Sequence, residues 1–444
     1  NGIHLVGRSF KYHRPRGILS AGCEEPNALV QLESGNITWQ EFIATISRKY
    51  QPKTFLLSGG GLATQLKAGL FQLINELDAV AHSEGDDIIL LIGKHLIEKK
   101  NNNINFNNSS NPYFIGSING IDRYVYAGDR PKDLERLPFA AWDLLETDVN
   151  GNEVLEKYIR TPVWGADANN SSAAPFKMKR SLTTVSSRGC PYACTFCYRG
   201  GQGERRYGVR DEKNLAKEVK WLIDTYNIDF VGFPDDNFAV DRKRIAKLPE
   251  AFKDFNIRWG THTRLDEADD RLEGMADSGC VYIGFGAESA SPNVLNYMKK
   301  GGFILKRGVV DINGYTFPKT MVDGIINTKN HGIHSNCTWI MGYPGEELDD
   351  LKTSVAFIQW QKELVTKGLL PGSLEYKIAS ESINENMFVA TAYPGTEMFK
   401  HPKVQNILNS NFKINFDSAG EPIIDKNYKE YVLELDDATK LLTN

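Results

Sequence analysis

Half of the chain's six cysteines fall in one short stretch, RGCPYACTFCYRG, residues 188–200. Three residues separate Cys190 from Cys194 and two separate Cys194 from Cys197. Three thiolates on one loop can each take a corner of a cubane iron–sulfur cluster and leave its fourth iron open to a ligand. An incomplete protein ligand set marks a reactive centre, by the logic that separates open catalytic zinc sites from closed structural ones. Two other chemistries use the same residue types. A structural zinc would take its fourth ligand from Cys280, Cys337, His262 or His331, without the paired CxxC knuckles of such sites. A disulfide with one stray thiol suits an oxidising compartment, which nothing else in the chain indicates.

A loop of this kind needs a rigid platform, and the chain turns regular from about residue 181. The β-branched run SLTTVSS leads straight into the cysteines. DEKNLAKEVKWLIDTYN then places Leu215, Val219, Leu222 and Ile223 on one helical stripe. IDFVGF reads as the second strand, followed by a Lys/Arg-rich helix over roughly 240–254. IRWGTHTR is the third strand, ADDRLEGMADSG a helix closed by Gly279, and CVYIGFG the fourth strand. SPNVLNYM opens with the Ser-Pro pair of a helix start. After an insertion come a helix near 319–331, the strand CTWIMGY, the helix ELDDLKTSVAFIQWQKEL and a strand within 374–392. Repeating βα units with near-continuous apolar strands predict an α/β fold, a partial (βα)6 TIM-like barrel over 180–400. A small, irregular α/β region precedes it. In such barrels chemistry sits at the C-terminal strand ends, where the cysteine loop leaves the first strand.

CxxxCxxC with an aromatic residue, Phe196, before its last cysteine, after the first strand of a partial barrel, resembles the radical S-adenosylmethionine superfamily. Further motifs follow at successive strand ends: FPDDNF (233–238), THTRLDEAD (261–269), GFGAESAS (284–291), IMGYPGEE (340–347) and YPGTEMF (393–399). The set resembles the subgroup that carries an N-terminal cobalamin-binding domain. LERLPFAAWDLLETD (134–148) resembles that subgroup's linker into the barrel.

The resemblance implies a 4Fe–4S cluster on Cys190, Cys194 and Cys197 whose open iron binds S-adenosylmethionine. Cleavage of that cofactor would give methionine and a 5′-deoxyadenosyl radical that abstracts hydrogen from a small-molecule substrate. Methylation, rearrangement and cyclisation are the reaction classes, and an electron donor such as flavodoxin or ferredoxin is implied. The implied cofactor-binding residues are Phe196, Asp235, Asp236, Arg264, Glu288, Ser289 and Gly342. Glu288 and Ser289 would bind ribose hydroxyls, and Arg264 the methionyl carboxylate. Asp235 and Asp236 would lie near the sulfonium and ammonium, and Gly342 would let backbone approach adenine. Each has a plainer role open to it. An aspartate can cap a helix, and Arg264 can pair with Asp266. His262 faces either side of the third strand, and Cys280 and Cys337 suit buried hydrophobic positions. RGGQGERR (199–206) reads as a basic loop beside the cluster or against an anionic substrate. No further catalytic residue is singled out.

The N-terminal third is less regular. Residues 1–35 resemble the N-terminus of the sarcosine oxidase alpha subunit family, where the stretch opens a ferredoxin-like domain; here Cys23 stands alone. Residues 36–98 read as a small α/β segment of unknown role. Its Gly59–Gly61 run either cradles phosphate at a helix N-terminus or is a plain strand-to-helix turn. Residues 99–115 form an Asn-rich linker, 116–179 a linker into the barrel, and 401–444 a C-terminal extension. Cobalamin is an expected cofactor of the subgroup, but its DxHxxG-type loop is not seen. His4, His13, His82 and His95 lie in other settings. That mosaic supports a second class of function, a non-catalytic iron–sulfur scaffold or a truncated or mis-joined chain with an incomplete cobalamin domain. Formation of 5′-deoxyadenosine by the reduced protein separates the two.

At 444 residues and 41% hydrophobic composition the chain can fill two or three domains. A net charge of −4 and a pI of about 6.1 argue against a nucleic-acid or membrane-surface partner. The longest aliphatic run, Ile88 to Ile92, is too short to span a bilayer. The first residues lack a signal-peptide pattern, and the cysteines form no disulfide framework, so the cytoplasm is the expected compartment. The sequons at Asn107 and Asn108 read as chance.

Overall fold

The computed structural model describes residues 4–6, 39–100, 112–128, 133–145, 153–160, 178–197, 207–383, 385 and 387–433. Most of 1–35 with Cys23, the Asn-rich run from 101 and the basic loop 199–206 lie outside the described residues. The chain divides into two units. One comprises residues 132–392, 396–398 and 442–444, the other 1–131, 393–395 and 399–441.

In the first unit six parallel strands lie in consecutive order. They are β1 (Ser181–Thr183), β2 (Phe230–Phe233), β3 (Arg258–Arg264), β4 (Cys280–Glu288), β5 (His334–Met341) and β6 (Met387–Val389). This is the expected partial barrel. Leu182, Val231, Phe233, Trp259, Ile283, Phe285, Cys337 and Trp339 share one core with helical Leu215, Val219, Leu222, Met275, Met321 and Phe357. Because side chains alternate along a strand, the opposite face carries Gly232, Gly260, His262, Arg264, Gly284 and Gly286. One face is covered by helices; the other is rich in glycine, carries His262 and Arg264, and holds a smaller buried pair, Phe230 and Tyr282.

The connecting helices follow local rules. Helix Glu212–Tyr226 is capped by Asp211, whose side chain accepts from Asn214 N, and ends at Asn227 in the left-handed region. Ser291 caps Pro292–Tyr297, with proline in the first turn. Over 240–254 the structure replaces one helix by two, Arg242–Ile245 and Leu248–Phe252. Pro249 cannot donate the backbone bond a continuous helix needs there. Within 374–392, helix Leu374–Glu381 precedes the expected strand.

The second unit corrects the reading of the N-terminal third. It is a five-stranded sheet in the order His4–Val6, Leu56–Ser58, Ala79–His82, Ile121–Ala127, Tyr113–Ile118. The first four strands are parallel and the last is an antiparallel edge. Phe55, Leu57, Ala79, Ile88, Ile92, Tyr124 and Tyr126 form its core. The boundary expected at 115/116 therefore cuts through a hairpin. Its turn, Asn119–Gly120, has φ of 52° and 75°, the geometry that Asn-Gly favours in two-residue hairpins. The C-terminal extension contributes helices Pro402–Phe412 and Lys426–Leu433, with Lys429 paired to Glu41.

Gly279, entering β4, has φ +96°, and a Cβ there would sit 2.6 Å from the Ile257 carbonyl oxygen. Gly279→Ala is expected to cost about 1–3 kcal/mol and to lower the thermal midpoint followed by circular dichroism. An unchanged midpoint would show that the helix-to-strand turn has slack the structure does not display.

Candidate functional site

The cysteine loop is tied down from beneath at several points. Asp235, at the end of β2, accepts from Ser186 N at 2.9 Å, Ser186 Oγ at 2.5 Å and Ser187 Oγ at 2.6 Å. Arg244 closes the group, donating to Ser186 O at 3.1 Å and to Phe238 O at 2.7 Å. All four polar residues are buried. Burial raises the Asp235 pKa, with Arg244 and the serine donors opposing. Exposed Asp236 accepts from Gly189 N at 3.0 Å, immediately before Cys190. Glu267, buried beyond β3, accepts from the Tyr192 hydroxyl at 2.9 Å and from Asn237 Nδ2 at 3.3 Å. Between the second and third cysteines, Thr195 N donates to Met298 O at 3.1 Å and Thr195 O accepts from Met398 N at 3.0 Å. Its hydroxyl lies 2.5 Å from that of Tyr343.

Two buried cations flank this loop. Arg264 holds Asp266 with its fork, at 2.9 and 3.2 Å, and its Nη1 lies 3.6 Å from Cys194 Sγ. The guanidinium also sits over the Tyr192 ring, 3.9 Å from the centroid. Burial works against its charge, and Asp266, with Cys194 and Tyr192, more than restores it, so its pKa is raised. The fork expected for a methionyl carboxylate is thus taken by Asp266. Glu288, at a bulge and at φ 68°, pairs with Lys300 Nζ at 3.1 Å. A Cβ on Gly286 would come within 2.7 Å of Glu288 Oε1, so a larger residue there would shift the carboxylate.

The other expected residues distribute unevenly. Ser289 is fully buried; its hydroxyl lies 3.2 Å from Ser354 Oγ and accepts from Ser291 N at 3.1 Å. That places it in the capping network of the next helix. Gly342 has φ +76° and donates its N–H to Glu346. Phe196 is half-buried. His262 lies on the glycine-rich face, and a Cβ on Gly284 would be 2.4 Å from its Cδ2. Burial lowers the His262 pKa. Cys280 and Cys337 are buried in the core, free of disulfides, and burial pushes Cys337 up to about 12. Lys300, Glu267, Tyr192 and Thr195 were not singled out from sequence. Only Lys300, a lysine just past the helix that begins at Ser291-Pro292 beside the Glu288 motif, carried a local signal.

Cys190, Cys194 and Cys197 form no disulfide and are half-buried. Burial pushes the Cys190 thiol up to about 11, the Tyr192 backbone pulling against it. Among the described residues no three His, Cys, Asp or Glu side chains converge on one point, as a mononuclear ion requires. A cubane does not ask for that, since each thiolate takes a different iron. Three soft ligands on an anchored loop beside a buried cation fit a 4Fe–4S cluster.

A model of the radical SAM superfamily matches residues 184–358, spanning the cysteine loop and β2 to β5. That stretch carries a radical SAM domain. A model of a 2Fe-2S iron-sulfur cluster binding domain matches residues 1–41. Sarcosine oxidase subunit alpha of Rhizobium meliloti is 57% identical over 51 residues, 12% of this chain and 5% of that protein. The uncharacterized methyltransferase PH0819 of Pyrococcus horikoshii is 23% identical over 369 residues, covering 82% of this chain and 67% of its own. The cobalamin-dependent S-adenosylmethionine radical enzyme OxsB, solved with aqua-cobalamin and S-adenosylmethionine, shares the fold. Its TM-score is 0.58 at 16% identity, over 91% of this chain and 56% of that one. The chain thus spans between half and two-thirds of these radical proteins.

The N-terminal sheet offers a second crevice. In parallel sheets ligands bind outside the carboxyl ends of the strands. Here Leu56–Ser58 runs into Gly59–Gly60 and Ala79–His82 into Ser83–Gly85. Side-chain positions at Gly60 and Gly85 face open space. At these two glycines a ligand can approach the backbone closely.

Asp235→Asn keeps the shape and loses the charge facing Arg244 and three donors. It is expected to cost about 2 kcal/mol in urea unfolding and to lower iron content after reconstitution. Asp236→Asn should cost under about 1 kcal/mol, because its carboxylate is exposed. Equal effects would remove the distinction drawn between them.

Proposed function

We propose that the chain is a radical SAM enzyme that cleaves S-adenosylmethionine at a 4Fe–4S cluster held by Cys190, Cys194 and Cys197 and acts on a small molecule. Methyl transfer is the favoured reaction, with rearrangement and cyclisation the other classes. The observation that carries this is the anchored three-cysteine loop at the carboxyl edge of the barrel, with two buried ion pairs beside it. When bound, the cluster supplies the electron that turns S-adenosylmethionine into methionine and a 5′-deoxyadenosyl radical.

The protein's part is to bind, orient and exclude water. Glu288, turned by its positive φ and held by Lys300, accepts from the ribose hydroxyls. Lys300, whose ammonium is buried, meets the methionyl carboxylate, since the Arg264 fork already holds Asp266. Arg264 Nη1 stabilises the anionic sulfur of Cys194. Gly342 keeps the approach to adenine open. Cobalamin would rest on the Gly59–Gly61 and Ser83–Gly85 backbone and supply a methyl carrier. Flavodoxin or ferredoxin in the cytoplasm would supply electrons. Among the described residues no helix is long and apolar enough to cross a membrane.

Anaerobic reconstitution should give about four irons per chain, and dithionite with S-adenosylmethionine should yield 5′-deoxyadenosine by chromatography. Cys194→Ala should lose the cluster and keep its circular dichroism spectrum. A full cluster without 5′-deoxyadenosine would leave only the scaffold reading.

Glu288→Gln is expected to weaken S-adenosylmethionine binding by about 10- to 150-fold, the loss of a charged acceptor, with iron content unchanged. Equal affinity would confine Glu288 to its pairing with Lys300.

A further inference from the structure

We propose that the surface formed by residues 297–307 and the neighbouring Lys319 is the docking face for a small acidic protein that carries one electron at a time. The proposal rests on the cluster reading above and adds where its reductant binds.

This segment is the outer cover of the cysteine loop. The Tyr297 carbonyl accepts from Thr195 Oγ1 at 3.4 Å, and the Met298 carbonyl accepts from Thr195 N at 3.1 Å. The Phe303 ring stands edge-on to Tyr192, centroids 5.6 Å apart, and Tyr192 lies between Cys190 and Cys194 in the chain. Yet the same segment turns large rings to solvent, Tyr297 at 52% and Phe303 at 60% exposure. Two exposed aromatics directly over a buried functional loop are the kind of centre that protein interfaces use.

The charges around them are lopsided. Lys299, Lys306, Arg307 and Lys319 are exposed on this lip. Against four cations stand two carboxylates, Glu397 beside Lys299 and Asp323 shared by Arg307 and Lys319. Across the adjoining cleft of about 870 Å³ the balance is different. There Arg242 is met by Asp269 and Asp270, Arg271 by Asp269, and Arg264 by Asp266. The positive excess therefore sits on the aromatic lip, in a chain whose net charge is −4. A positive patch on a negative protein steers an acidic partner to that spot and orients it there. In each encounter the carrier loses one electron and the cluster gains one; no covalent bond forms or breaks.

The test uses the reconstituted full chain, reduced flavodoxin as the protein donor and dithionite as a chemical one. Cluster bleaching gives the reduction rate, and titration gives the flavodoxin affinity. For the unsubstituted protein, affinity should fall steeply between low and moderate salt. The Lys299→Glu, Lys306→Glu, Arg307→Glu triple variant should bind flavodoxin at least tenfold more weakly. Its reduction by flavodoxin should slow to match, while the dithionite rate stays within twofold. Asp323→Asn, which removes a carboxylate from the lip, should tighten binding a few-fold. Unchanged binding in the triple variant, a flat salt dependence, or weaker binding by Asp323→Asn would each overturn the proposal. Failure of dithionite to reduce the unsubstituted protein would instead strike the cluster reading, and the docking face with it.

Discussion

The site depends first on the buried carboxylate of Asp235. The cysteine loop has almost no regular structure of its own, so its path is set by what its backbone and serines must bond to. Asp235 takes three donors from Ser186 and Ser187 while Arg244 clasps the same serine from the other side. Removing one partner from such a group leaves buried polar atoms unpaired, at about 1–3 kcal/mol. The end of β2 and the start of the loop are therefore obligatory to each other. Just past β2, Asp235 turns into the scaffold, while its neighbour Asp236 remains exposed and accepts from Gly189 N.

The same economy governs the cations. A buried guanidinium or ammonium must be paired, and both cations beside the loop carry a carboxylate, Asp266 or Glu288. Pairing does not remove them from chemistry. Arg264 binds Asp266 through Nε and Nη2, which fixes the plane of the group and leaves Nη1 directed at Cys194. Glu288 is different, because its backbone holds an uncommon conformation at the bulge of β4. A non-glycine residue at positive φ is strained by about 1–3 kcal/mol. Strain of that size persists where surrounding structure imposes it, and here the bulge and the Lys300 pair accompany it.

The barrel was legible because its strands are buried on both faces, so IDFVGF and CVYIGFG show as continuous apolar runs. The pairing of Arg264 with Asp266, two residues apart, could also be foreseen. The roles of Asp235 and Ser289 could not, since their partners lie 49 and 65 residues away. The N-terminal sheet escaped for another reason. Strands such as Leu56–Ser58 and Ala79–His82 are too short to show a period, and the Asn-rich run separates them from the hairpin that completes the sheet. Asn119–Gly120 was a usable signal, a two-residue turn between apolar runs, and it was absorbed into a supposed linker.

Both units obey one constraint. Parallel pairing sends the strands it joins in one direction, so their carboxyl ends, and the turns that follow them, gather on one edge. In the barrel that edge collects the cysteine loop, Asp236, Arg264 and Glu288 from four consecutive strands. In the N-terminal sheet it collects Gly59–Gly60, Ser83–Gly85 and Gly128 from three. The two edges differ in what the turns offer. The barrel edge presents thiols, a guanidinium and a carboxylate, groups that grip a small charged cofactor at defined points. The N-terminal edge presents glycine-rich turns, with open space at Gly60 and Gly85. A Cβ on Gly128 would fall 1.9 Å from the Glu84 carbonyl oxygen, so the absence of side chains there also lets two turns approach each other. Residue type at one topological position thus sets which kind of ligand each sheet can hold.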